Sequence, residues 1–206
     1  MKLIFDFDHT LFDTSRFLAA LSENFAALGI SESTFYKALT AAYNAERMFI
    51  PSRFLYALTE NQNSSYKLFE KQLISFCGSL NKYVYLDAIP FLQTVQQSHH
   101  TPVLLTFGHE QFQRMKIEGA GLVPYFERVI VTDNIAKDEE VEKLSGGKQT
   151  IFVDDNPVAL AAVKRYAPHI VTVRMRRSDG EHTNEPSGQG VDYEIQNLNE
   201  LQEILI

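Results

Sequence analysis

A single cysteine, Cys77, stands among the 206 residues. That excludes an intrachain disulfide, and no His or Asp lies close by in sequence to activate the thiol, so Cys77 reads as a buried, inert side chain in an apolar helical pattern. Basic residues are also scarce: 19 Lys and Arg against 26 Asp and Glu leave a formal charge of −7. The densest basic run is the short Arg174-Met175-Arg176-Arg177. A chain of this sign repels polyphosphate backbones, which argues against nucleic acid as a partner. No apolar run approaches the roughly 18 residues that a membrane span requires, so no membrane partner is expected. Asp6 interrupts the opening run Met1-Lys2-Leu3-Ile4-Phe5 where a secretion signal would stay apolar, and a cytoplasmic location is expected. Internal repeats and low-complexity tracts are absent.

What is present is a chain long enough for one good core and a second, smaller module, with 45% hydrophobic and 22% charged residues. The stretch from Leu3 to Asp13 draws attention first. A short apolar strand, Leu3-Ile4-Phe5, runs into two carboxylates, Asp6 and Asp8, and a hydroxyl, Thr10. Asp often caps turns and helices, but the pattern recurs: Thr150-Ile151-Phe152-Val153 runs into Asp154 and Asp155. Burying unpaired carboxylates costs several kcal/mol each, on the order quoted for buried ions, so a counter-charge is required. A hard divalent cation such as Mg2+ takes carboxylate oxygens and keeps waters for a phosphate to displace.

Between these endings the hydrophobic period changes. Phe17, Leu21, Phe25 and Leu28 fall at helical spacing before Gly29; Ser33 or Thr34 can cap a second helix carrying Phe35 and Leu39; Pro51 opens a third; Tyr66, Phe69, Leu73, Phe76 and Leu80 mark a fourth. From Asp87 onward helices alternate with strands at 101–106, 128–132, the run ending at Asp155, 169–174 and 192–195, with a polar segment from 178 to 190 expected to be a mobile loop. Alternation of this kind predicts an α/β fold with a doubly wound parallel sheet, residues 1–14 and 83–206 forming the core domain and 15–82 an inserted all-helical cap over the carboxyl edge.

Asp6-Phe7-Asp8-His9-Thr10, Thr106 at the end of the next core strand, a lysine, and Asp154-Asp155 resemble the four motifs of the haloacid dehalogenase-like (HAD) hydrolases, in that family's chain order. The resemblance spans nearly the whole chain and implies a Rossmann-like core carrying a Mg2+-dependent phosphatase of small phosphorylated metabolites. It implies that Asp6 is the nucleophile that forms an aspartyl-phosphate and that Asp8 is the general acid/base. The metal would be held by Asp6, by the backbone carbonyl of Asp8 and by Asp155, with Asp154 behind. Thr106 would bind the phosphoryl group together with the N–H groups of Phe107 and Gly108 at a helix start. Lys137, Lys143 and Lys148 are the candidates for the charge-neutralising lysine, and Lys137 is preferred because a short loop joins it to the strand ending near Thr132. Ala136 and Asp138 flank it where the family often has Gly or Ser and Pro. Thr10 is expected to shape the loop and His9 to point away from the site. In the cap, Arg47 and Arg53 are candidate anion contacts and Tyr43 a candidate stacking surface.

The same four motifs also serve phosphomutases. Dehalogenases of this fold do not need the second acid, so Asp8 favours phosphoryl chemistry. Receiver modules and metal-binding regulatory domains likewise combine paired acids, Thr and Lys on a parallel sheet. Receivers, however, carry their phosphoacceptor on a later strand and lack a helical insertion of this size.

Overall fold

The computed structural model describes residues 1–60, 65–98 and 100–205. Among them, six parallel strands form one sheet: β1 (Lys2–Phe5), β2 (Thr101–Phe107), β3 (Arg128–Thr132), β4 (Thr150–Asp154), β5 (Val171–Met175) and β6 (Tyr193–Ile195), in the order β3-β2-β1-β4-β5-β6. Helices pack on both faces, as an all-parallel sheet buried on both sides demands. β1 is central, and the strand order reverses on either side of it. That reversal opens a crevice at the carboxyl ends of β1, β2 and β4, where the carboxylates of the first and last motifs emerge.

Four α-helices among the described residues make up the insertion between β1 and Tyr83: α1 (Thr14–Ala26), α2 (Glu32–Ala41), α3 (Pro51–Thr59) and α4 (Tyr66–Cys77). Their apolar stripes meet around one ring. Phe25 of α1 lies 6.1 Å from Phe35 of α2, 5.8 Å from Phe54 of α3 and 5.8 Å from Phe69 of α4, centroid to centroid. Ser31 caps α2 by accepting from the Thr34 N–H at 3.2 Å, two or three residues before the expected cap, because Glu32 already has helical backbone. The chain leaves and re-enters the sheet region at one point, where the Asp13 N–H donates to the Tyr83 carbonyl at 2.8 Å and the Tyr85 N–H to that of Leu11 at 3.0 Å.

The chain continues through α5 (Ala88–Gln97), α6 (Glu110–Gly119), α7 (Asp138–Ser145), α8 (Pro157–Tyr166) and α9 (Leu198–Ile204). α7 has no counterpart in the sequence reading, since three successive acids at its start, Asp138, Glu139 and Glu140, mask a short apolar stripe of Val141 and Leu144. α8 begins as expected, with Asn156 as cap and Pro157 in the first turn. Strand β5 starts at Val171 rather than His169, because the Ile170 N–H still closes a turn onto Ala167.

The segment 178–190, expected to be mobile, is tied down. Arg174, 1% exposed, donates to the carbonyls of His182 (2.6 Å) and Glu185 (2.8 Å) and to Ser187 Oγ (2.7 Å), and Arg176 donates to the Thr183 carbonyl. Arg177 forms a two-pronged pair with Asp87 at 2.8 and 3.0 Å and donates to the Thr10 carbonyl at 3.0 Å. Two of the three arginines of the basic run are therefore buried braces. Cys77 is buried too, and that burial pushes its thiol up to about 12.

α4 and α6 touch through backbone at Gly119. A Cβ there would sit 1.9 Å from the Cys77 carbonyl oxygen, and the Leu80 N–H donates to the Gly119 carbonyl at 2.7 Å. Gly119→Ala is therefore expected to force the two helices apart at a cost of about 1–3 kcal/mol, the usual range for overpacking. A thermal unfolding midpoint unchanged from wild type would contradict this close approach.

Candidate active site

The crevice is built by register. Phe5 pairs with Val153, and the Asp6 N–H donates to the Val153 carbonyl at 2.9 Å, so Asp6 comes to lie beside Asp154 at the end of β4. Lys137 reaches in from the turn before α7, its Nζ 2.5 Å from Asp6 Oδ1 and 2.7 Å from Asp154 Oδ2. None of the three is more than 5% exposed. Lys137 holds a left-handed backbone, φ 56°, which costs a non-glycine residue about 1–3 kcal/mol. Of the three candidate lysines it is the one inside the crevice; Lys143 and Lys148 are exposed.

Asp155 completes a triad, since oxygens of Asp6, Asp154 and Asp155 all lie within 4.8 Å of one another. The two neighbouring acids differ in their partners. Asp154 spends Oδ2 on Lys137 and accepts from the Asn156 N–H through Oδ1 at 2.8 Å. Asp155 Oδ2 is buried without a partner among the described residues. A buried carboxylate oxygen left bare is a strong cost, and the donor set of three carboxylates suits a hard cation. The residues thus fit a hard divalent ion, which Asp155 would ligate while Asp154 holds Lys137.

Electrostatics follow from burial. Desolvation, with the Asp154 and Asp8 charges adding and Lys137 opposing, raises Asp6 to about 7. Burial and then the charges of Asp154 and Asp6 hold Asp155 well above the usual carboxylate range. Burial works against charge on Lys137, but Asp154 and Asp6 outweigh it and keep the ammonium protonated above its ordinary range. One cation against three clustered acids leaves a negative excess that a divalent ion would discharge.

Asp8 lies outside this triad. Its carboxylate accepts from Lys116 Nζ (2.6 Å) and Thr14 Oγ1 (2.5 Å) on Oδ1 and from Gln113 Nε2 (2.8 Å) on Oδ2. Burial pushes its pKa up, but the Lys116 charge and these hydrogen bonds outweigh burial and bring it down to about 2. A side-chain role for Asp8 as metal ligand is not what this geometry offers; its backbone carbonyl remains available to that role. Sequence reading missed Thr14, Gln113 and Lys116. The signal that could have found the last two is two polar residues, three apart, on the inward face of α6 beside Phe112 and Ile117.

Thr106, 1% exposed, ends near Asp8, its Oγ1 3.0 Å from Gln113 Nε2. Phe107 and Gly108 do not open the following helix, which starts at Glu110. The Gly108 N–H is already donated to the Thr132 carbonyl at 3.0 Å, so it is spent on the sheet instead of being free for a ligand. Gly108 has φ 148°, and a Cβ would meet the Gln113 side chain at 2.9 Å. His9, at φ 55° and 7% exposed, lines the cavity rather than facing away, because the left-handed turn carries it inward; burial lowers its pKa. Thr10 holds the turn, its carbonyl accepting from Arg177.

Above the carboxylates lies a cavity of about 200 Å³. Its upper wall is hydrocarbon from Leu18, Leu39, Phe49 and Phe112. At its mouth Arg47 pairs with Glu181 at 3.3 Å, both largely exposed, and Tyr43 stands beside them. Arg53 is not among the lining residues, since it projects outward from α3.

No protein-family model matches the chain, and no curated protein matches it. Solved structures do. A haloacid dehalogenase-like hydrolase from Burkholderia xenovorans superposes with a TM-score of 0.77 at 22% identity, over 98% of this chain and 97% of that one. The HAD-hydrolase YfnB from Bacillus subtilis, bound to magnesium, gives 0.68 at 21% identity over 99% and 97%. L-2-haloacid dehalogenase from Xanthobacter autotrophicus gives 0.64 at 17% identity over 99% and 97%. Identity this low speaks to architecture, and over nearly its whole length the chain has the fold of the haloacid dehalogenase-like hydrolases.

Proposed function

We propose that this chain is a Mg2+-dependent phosphatase of small phosphorylated metabolites, working through an aspartyl-phosphate on Asp6. The observation that carries the reading is the division of the acids: a buried triad of Asp6, Asp154 and Asp155 around Lys137, and a separate acid, Asp8, two residues from the nucleophile. A dehalogenase needs no such second acid. The magnesium-bound hydrolase of the same fold is consistent with the ion.

In this reading an Asp6 oxygen attacks phosphorus, the new O–P bond forms as the ester P–O bond breaks, and the leaving oxygen takes a proton from Asp8. Because the resting Asp8 carboxylate is ionised, that proton arrives with the monoanionic form of the ester. Asp8 then takes a proton from water, whose oxygen attacks the aspartyl-phosphate as the P–O bond to Asp6 breaks; inorganic phosphate leaves with that proton, and both carboxylates are restored. Lys137 steadies Asp6 and faces the phosphoryl oxygens, and Thr106 contacts the transferred group. Asp6, the Asp8 carbonyl and Asp155 would hold Mg2+, which when bound would supply neutralisation of the phosphoryl charge. Residues 1–14 and 83–206 act as the catalytic core and 15–82 as a cap that excludes water. The hydrocarbon wall suits a leaving group with an apolar face, because hydroxyls buried there would lack partners.

The purified chain should release phosphate from 4-nitrophenyl phosphate with Mg2+ and stop with EDTA, and Asp6→Asn should abolish turnover; metal-independent release, or an active folded Asp6→Asn variant, would sink the mechanism. Among the lysines, Lys137→Met should lose about 10²- to 10³-fold in kcat, the cost of deleting one fixed donor to a transition-state oxyanion. Lys143→Met and Lys148→Met should stay within about twofold of wild type, as exposed charges do.

The metal also predicts a pH signature. With Asp6 raised from 3.8 to about 7, the folded metal-free chain retains a proton that the unfolded chain has lost, so its stability declines as pH rises through that window. Bound Mg2+ favours the ionised triad. The rise in melting temperature on adding Mg2+ should therefore be larger at pH 8 than at pH 5.5. Asp8 does not blur this comparison, since the stability its depressed pKa contributes is lost only as pH falls toward about 2. Equal increments at the two pH values would show that the triad does not take the ion.

A further inference from the structure

Lys116 is 4% exposed on α6, and its ammonium lies 5.2 Å from the ring centroid of Phe7, 5.6 Å from Phe12, 5.7 Å from Phe17 and 5.5 Å from Phe112. Four rings contributed by the Asp8 turn, by α1 and by α6 thus box one cation, whose carboxylate partner is Asp8 at 2.6 Å. Replacing a buried ion pair by packed apolar residues is often neutral or stabilising. A lysine in an aromatic box therefore asks for a reason other than stability. Gln113 stands three residues earlier on the same helix face, also 4% exposed, and its Nε2 is within 2.8 Å of Asp8 Oδ2, 3.0 Å of Thr106 Oγ1 and 2.9 Å of the Phe107 carbonyl. Gly108 leaves the room for it, since any Cβ there would collide with the Gln113 side chain.

We propose that Gln113 and Lys116 are positioning residues that hold both oxygens of Asp8 at a set orientation toward the leaving-group oxygen. The inference rests on the phosphatase reading above. A carboxylate joined to its backbone by one Cβ can turn about two bonds, and its side chain is 26% exposed on the cavity side. The box anchors the ammonium from behind, the ammonium anchors Oδ1, and Gln113 anchors Oδ2 while tying that oxygen to the hydroxyl of Thr106. α6 thereby couples the acid/base to the residue proposed to contact the phosphoryl group.

The test separates proton delivery from every other role by varying the leaving group. For wild type and variants, kcat/KM is measured with Mg2+ for 4-nitrophenyl phosphate, which departs without protonation, and for phenyl and alkyl phosphates, which do not. Lys116→Met keeps the stem in the box and removes the cation. It should lose about 10²-fold on the alkyl ester, the lower end of what general acid catalysis contributes, and less than about tenfold on the nitrophenyl ester. Gln113→Leu should steepen the leaving-group dependence in the same direction, and Lys116→Arg should restore part of the alkyl-ester rate. Equal losses on all esters, no loss at all, or variants that fail to fold by circular dichroism would overturn the positioning role and leave the pair a structural one. A wild-type chain inactive on every ester would instead remove the phosphatase reading and this inference with it.

Discussion

The structure depends on the contact of Lys137 with Asp6 and Asp154, at 2.5 and 2.7 Å. Three acids gathered within 4.8 Å at the mouth of a sheet repel one another and lose their water. With a single ammonium among them the cluster is only partly compensated, and one Asp155 oxygen is buried with no hydrogen-bond partner among the described residues. Much of the local architecture serves that one contact: the left-handed backbone at Lys137, the α7 start that follows it, and the β1–β4 register that brings Asp6 level with Asp154.

The second acid is handled differently. Asp8 is not part of the triad and has its own cation, Lys116, so two carboxylates two residues apart take opposite electrostatic characters: Asp6 is pushed up to about 7 and Asp8 down to about 2. The turn that follows β1 carries the two side chains to different partners, and each meets a lysine from a different element. Separation of titratable neighbours in this way is how one site assigns distinct chemical roles to like groups.

The helical insertion matters to both. α1 supplies Thr14, whose hydroxyl donates to Asp8, and Phe17, one wall of the box around Lys116, while the helices beyond it roof the cavity with hydrocarbon. The Leu80 N–H joins the insertion to the sheet region through the Gly119 carbonyl, and Asp13 with Tyr83 ties together the two core segments that flank it. The loop 178–190 closes the remaining side, where Glu181 meets Arg47. Buried Arg174 holds that loop, which explains why a polar, glycine-bearing segment is ordered.

The parallel α/β architecture, the helical character of the insertion and the acids at the strand ends were legible because each is written in local order. Helical and strand periods differ, and paired carboxylates closing two apolar strands demand a counter-charge wherever the strands meet. The position of Lys137 beside the acids was legible by its distance from β3, although nothing local sets it apart from Lys143 and Lys148. Helix α7 and the anchoring of the 178–190 segment were not, since a run of acids hides a short stripe and a braced loop has the composition of a free one. Gln113, Lys116 and Thr14 stayed hidden for a further reason: their partner Asp8 lies 105, 108 and 6 residues away in sequence. By itself the sequence determined which residue types end the strands and hence the kind of chemistry available. Only the tertiary structure decided which lysine faces which acid, because Coulomb energy depends on distance and burial, and those are set by how the elements pack.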